Sequence, residues 1–221
     1  MNSILHFLAE LAANNTREWF QANRSWYDQV RAQHHDIVRT LLVRISQFDP
    51  SVSHLDVKDC TYRIYRDVRF STDKSPYKRH IGAYISAGGK KSCHAGYYLH
   101  LMPGETMLCA GTWYLPSHVL KEVRMSICED FSTFHSIVSA PEFREAFPQF
   151  GYEPLKTMPK GFPADFSHPE YLRPRIYSCG CNFEDSFVGS EGWLDDIVRR
   201  CEIAKPFIDF LNDTIDDYEV S

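Results

Sequence analysis

No uninterrupted apolar run in this chain approaches membrane-spanning length, so a transmembrane helix is not expected. The first fifteen residues, MNSILHFLAELAANN, have no basic leader, carry Glu10 inside their apolar stretch and offer no clear cleavage site. A signal peptide is therefore not expected either. Seven cysteines make an odd number without framework-like spacing, and the C-x-C of Cys179 and Cys181 has no second pair at zinc-ligand distance. Reduced thiols in the cytoplasm are the expected state. GGKKS (88–92) is too short for a Walker loop and lacks a strand–helix context. There is no G-x-S-x-G elbow and no cysteine in a nucleophile motif. Ten histidines include no H-x-x-x-H helix and no two-histidine, one-carboxylate spacing, so neither metal nor cofactor is expected. Repeats, low-complexity tracts and long linkers are also missing.

What is present is enough apolar and aromatic residue (43% and 14% of 221) to bury one sizeable core, with residues 1–221 read as a single domain. Ile4, Phe7, Leu8 and Leu11 recur at helical spacing over 3–13. Asn15, with Glu18 three residues on, reads as the cap of a second helix reaching about residue 47. Between 59 and 115 the texture is β, with strands expected near 60–69, 79–87, 95–102 and 106–113, and hairpins after 87 and 102. A helix starting at Ser117 follows, then a short one from Pro141 to Phe147. Two more strands are expected near 152–157 and 175–183. The last helix takes in Trp193, Leu194 and Ile197 and is expected to kink or split at Pro206. The fold class is α+β: a central antiparallel sheet with N-terminal, middle and C-terminal helices packed on it.

Charge is distributed unevenly. Residues 58–91 hold nine cations against three acids, a surplus of six, whereas the rest of the chain carries minus eleven. Local potential of this kind, rather than the average, governs what a surface attracts. On a strand over 61–69, Arg63, Tyr65, Asp67 and Arg69 would share one face. Asp67 could then orient both guanidiniums toward an anion, or the three could simply neutralise one another. The following turn, FSTDKSPYK, would place free backbone amides beside Lys74 and Lys78. Lys160 and Arg173 would reach the same cleft from a later loop. Asp73 and His100 are the acid–base candidates, His100 lying on a strand with Tyr98 and Met102. Adjacent His34 and His35 cannot share a helix face and read as solvated. Trp19, Phe20 and Trp26 read as core. The favoured function is binding of a small phosphate-containing or other anionic ligand. A module binding nucleic acid or protein is the second reading, and a purely structural charge network the third. No reaction is assigned.

Several stretches carry a resemblance: NNTREWF (14–20), RIYRDVRFSTDKSPYK (63–78), YYLHLMPGE (97–105), GTW (111–113), MPKGF (158–162), HPEYLR (168–173) and PFIDFL (206–211). On these the chain resembles the conserved hypothetical family called domain of unknown function 2461. One departure is Leu172-Arg173-Pro174-Arg175, where the family pattern is similar to L-R-x-K; arginine stands for lysine. The resemblance implies a soluble single-domain α+β protein and supplies no reaction, substrate or cofactor.

Overall fold

The computed structural model describes residues 2–219. Helix α1 (Ser3–Ala13) starts where the Asn2 carboxamide oxygen accepts the Ile4 N–H at 2.9 Å, and it buries the expected apolar stripe. Helices α2 (Arg17–Ala22) and α3 (Arg24–Ile45) replace the single helix expected over 15–47. The break is at Asn23, whose side chain turns back to donate to the Trp19 carbonyl. Thr16, not Asn15, caps α2 by accepting the Trp19 N–H. Asn15 has a longer-range task. Its carboxamide donates to the Tyr77 carbonyl at 3.0 Å and accepts the Tyr77 N–H at 3.1 Å. One side chain thus imitates a strand partner and ties the N-terminal helices to residue 77.

After helix α4 (Val57–Cys60) the expected strand over 60–69 does not form. The segment pairs with 76–78 through only two backbone bonds, Lys78 N–H to Ile64 at 2.8 Å and Arg66 N–H to Pro76 at 2.9 Å. Proline at 76 has no N–H to continue a ladder, and Tyr65–Tyr77 remains an isolated bridge. Loss of the strand removes the shared face proposed for Arg63, Asp67 and Arg69. The sheet itself comprises β1 (Ile81–Ser86), β2 (Gly96–Leu101), β3 (Thr106–Gly111), β4 (Gln149–Tyr152) and β5 (Ile176–Phe183). It is antiparallel throughout, in the order β1-β2-β3-β5-β4. Both expected hairpins are present. The strand expected at 152–157 ends at Tyr152 instead, because Gly151 and Glu153 both take positive φ and Pro154 follows.

Helices α5 (Ser117–Glu129), α6 (Phe131–Ser139), α7 (Pro141–Ala146), α8 (Pro169–Leu172) and α9 (Trp193–Glu219) complete the chain. Ser117 is the first residue inside α5 rather than its cap, which is Pro116. α9 runs through Pro206 without splitting. Residues 201, 204, 207, 208 and 211 on its inner side are all buried, and Pro206 is exposed, so water can solvate the carbonyl left without a donor. Strand alternation explains the layers. Across the sheet, Ala83, Leu99, Leu108 and Cys181 lie in one row, and all are buried. The adjacent row, Gly82, His100, Met107 and Asn182, turns to the opposite face and grows more exposed toward β5. Cys179 and Cys181 point the same way and donate weakly to carbonyls of β3, which makes the C-x-C part of the core. α9 packs on β3 and gathers α3, α5, α6 and α7 around it. No helix among the described residues is long and apolar enough to cross a membrane.

Candidate functional site

The 61–80 segment carries most of the charge surplus, and two buried side chains hold it in place. Ile64 is 1% exposed, and Tyr77 stacks on Phe20 with ring centroids 4.1 Å apart and 16° between planes. The loop between them organises itself. Asp73 accepts the Ser75 hydroxyl at 2.6 Å and the Ser75 N–H at 2.9 Å, and pairs with Arg66 at 2.5 Å. Arg79 approaches the same carboxylate at 3.8 Å. Those bonds, the Ser75 hydroxyl foremost, hold Asp73 far below the usual carboxylate range. It is an ionised turn organiser with its lone pairs occupied, a poor match for the acid–base role expected of it. Asp67 likewise takes Arg69 in a bidentate pair (2.6 and 3.0 Å) and also accepts the Arg69 N–H. Arg69 is therefore matched by an internal acid. Lys74 donates to the Val68 carbonyl at 3.0 Å. These groups close the loop on itself and do not converge on a common anion seat.

Arg63 is different. It makes no ion pair or hydrogen bond among the described residues, and it lines a cleft of about 310 Å³ between α3 and residues 58–65. Arg24, Arg31 and Lys58 line the same cleft. Arg24 and Arg31 share one carboxylate, Asp28, at 3.2 and 3.4 Å, so the guanidinium end holds three cations against one acid. Lys58 is answered by Asp56 at 3.1 Å, with Asp59 adding its field. Lys78 stands nearby, its ammonium 5.3 Å from the Tyr62 ring centroid; burial and then the Arg63 charge lower its pKa. Of the expected ligand-binding residues, Arg63 lines the cleft and Lys78 flanks it. Lys160 is exposed on the loop after β4, Arg173 sits at the end of α8 against α5, and neither lines the cleft.

Several cleft residues were not picked out from sequence: Arg24, Tyr27, Arg31 and Lys58, with Tyr62 and Tyr65 from the loop. The signal for the α3 residues is a stripe at 24, 27, 31 and 34, which falls on one side of a helix. His34 lies in that stripe and is 4% exposed, which corrects its reading as solvated. Its neighbours at 27, 30, 38 and 41 are buried too. Burial, and then the field of His35, lowers its pKa to about 4, and its Nε2 is buried without a hydrogen-bond partner. A pH effect follows. The unfolded chain binds this proton near its ordinary value of about 6.5, before the folded chain does, so the stabilisation is complete above that pH and is lost as pH falls toward 4. The loss is about 2–3 kcal/mol by pH 4.5. Urea midpoints measured from pH 7 to 4.5 are expected to fall more steeply in the parent than in His34→Leu, which has no proton to bind; equal slopes would contradict this.

His100 belongs to a separate cluster on the open face of the sheet. Its Nδ1 meets the Tyr98 hydroxyl at 2.8 Å and its ring lies 4.4 Å from that of His80. Burial first, and His80 second, bring its pKa to about 4, so it is neutral at physiological pH. Asp73 is not part of this cluster. No group of three or more His, Cys, Asp or Glu residues among the described ones has metal-binding geometry. Comparison with curated proteins and with solved structures returned no match. The model of the family described as conserved hypothetical protein (DUF2461) matches residues 3–210, and the chain belongs to that family.

Proposed function

We propose that this protein binds a small anionic ligand, with phosphate as the head group, in the cleft between α3 and residues 58–65. The observation that carries the reading is Arg63: a guanidinium in no ion pair, its charge felt by Asp67, which Arg69 already holds, and lining the same cleft as Arg24 and Arg31, which have one acid between them. Arginine forks suit bidentate capture of phosphate oxygens, and three around one concavity can hold several oxygens at once. The cleft volume of about 310 Å³ lies at the small end of ligand pockets, which favours a compact ligand over a polymer. Lys78 at the rim adds long-range attraction, whereas Lys58 is offset by Asp56 and Asp59.

The test is thermal. At a hundredfold excess over its dissociation constant, phosphate is expected to stabilise the parent by about 2.7 kcal/mol. For a chain of this length that raises Tm by roughly 5–10 °C. Arg63→Ala is expected to leave the ligand-free Tm nearly unchanged, since its side chain makes no ion pair, and to remove more than half of that rise. Arg69→Ala, whose guanidinium is already bound to Asp67, is expected to respond like the parent. An Arg63→Ala protein with the parent's full response to phosphate would overturn the reading. So would binding that grows with oligonucleotide length and weakens steeply with salt, the mark of a nucleic-acid surface.

A further inference from the structure

The same cleft offers more than charge. Tyr62 and Tyr65 line it and are each 42% exposed. Each has one side engaged. Lys78 lies over the Tyr62 ring, and Tyr65 leans on Phe20 and Tyr77 at 6.0 and 5.4 Å. The Tyr65 hydroxyl also accepts from Arg24 at 3.4 Å. At the floor of the cleft is His34, nine-tenths buried, with an Nε2 that has no hydrogen-bond partner. A buried polar atom left unpaired costs free energy until something pairs with it, and a bound group is one way to supply that partner. Phosphate alone, held by the arginines, would use neither the rings nor the imidazole.

We infer that the ligand is a phosphate monoester carrying a planar ring, with the ring against Tyr62 and Tyr65 and a polar edge directed to His34. This rests on the anion reading above and narrows it to a substrate class, that of aryl phosphates and nucleoside monophosphates. Aromatic platforms accept any flat ring, because stacking uses the π-face rather than a particular edge. Selection among rings then falls to the single hydrogen bond that His34 can make. Burial first, and the field of His35 second, keep the imidazole neutral; Arg31 acts on His35 rather than on His34.

Calorimetric titration of the full chain at constant ionic strength tests this with three probes: inorganic phosphate, phenyl phosphate and uridine 5′-monophosphate. The ring esters are expected to bind about tenfold or more tightly than inorganic phosphate. Tyr62→Ala, at an exposed position that leaves the core intact, is expected to bring the esters close to the variant's own level for inorganic phosphate. His34→Gln, which keeps a hydrogen-bonding group at the floor, is expected to retain more of the ester preference than His34→Leu. A preference for the nucleotide over phenyl phosphate supports a ring with a polar edge at His34, and the reverse overturns that hydrogen bond. Equal affinity for phosphate and both esters overturns this inference while leaving the anion reading standing. An ester preference that survives Tyr62→Ala overturns the ring placement. Absence of saturable binding for all three probes overturns both.

Discussion

Gly111→Ala is expected to destabilise the protein by about 4 kcal/mol or more, enough to leave much of it unfolded at ordinary temperature. Gly111 ends β3, where it faces Gly96 on one side and Ser178 on the other. Its φ of +123° is a conformation that side chains with a Cβ rarely adopt. A Cβ there would lie 2.2 Å from the Tyr177 carbonyl oxygen and 2.8 Å from the Ser178 Cα. Both are backbone atoms of β5, so no rotamer change relieves the overlap and the strand must move. Moving it strains the Thr112 N–H bond to the Tyr177 carbonyl and the Tyr84 hydroxyl bond to the Gly111 carbonyl, both at 2.8 Å. Gly104→Ala separates strain from collision. Gly104 has φ of +75° and nothing within 4 Å of the added Cβ, so its cost is expected to be about 1 kcal/mol. Urea denaturation followed by circular dichroism measures both. Equal, small losses would show that β5 can yield at Gly111.

Phe207→Ala is expected to cost about 3–5 kcal/mol, although alanine is the better helix former. Phe207 is fully buried on α9, one residue after Pro206. Its ring lies 5.8 Å from Phe143 and from Phe150 and 6.2 Å from Phe134, joining α6, α7 and β4 to the C-terminal helix. It also touches the space that a Cβ on Gly111 would enter, at 3.1 Å. Truncation leaves a cavity among rings that cannot all collapse into it, so the loss exceeds the transfer free energy alone. The helix at Pro206 is expected to loosen with it, because packing on that inner side offsets the backbone bond that proline cannot make. Chemical denaturation gives the magnitude. Phosphate affinity, measured where the variant is still folded, is expected to be unchanged, since Phe207 does not line the cleft. A loss under about 1 kcal/mol would mean that the aromatic cluster is not the junction described.

The helices and hairpins were legible because their signals are local. Ile4, Phe7, Leu8 and Leu11 predict α1 at helical period, and Gly104 after Pro103 marks the turn between β2 and β3. The strand expected over 60–69 failed for an equally local reason that pattern alone underweights. Alternation of Tyr, Ile and Val predicts a pleated segment, but the stretch facing residues 64–66 contains Pro76 and supplies just two backbone bonds, and Thr61 makes no more than an isolated bridge to Ala83. Asp67 and Asp73 were visible as acids among cations. Which cations they take depends on a loop conformation set by Ile64, Tyr77 and the Asn15 clamp from sixty-two residues away. His34 was misread because its neighbour His35 suggested a polar face, whereas the apolar residues at 27, 30, 38 and 41 place it with the core.

From residue order alone came the α+β class, the positive segment in an otherwise acidic chain, and family membership through motifs spread along its length. All of these depend on composition and short-range spacing, which the chain carries before it folds. Tertiary structure decided which charges remain unmatched. Arg69 is taken by Asp67, and Arg66 and Arg79 by Asp73, while Arg63 lines a cleft with two arginines from a helix that begins thirty-nine residues earlier. Coulomb attraction and burial act between neighbours in space, and only folding brings Arg24, Arg31 and Arg63 to the same cleft.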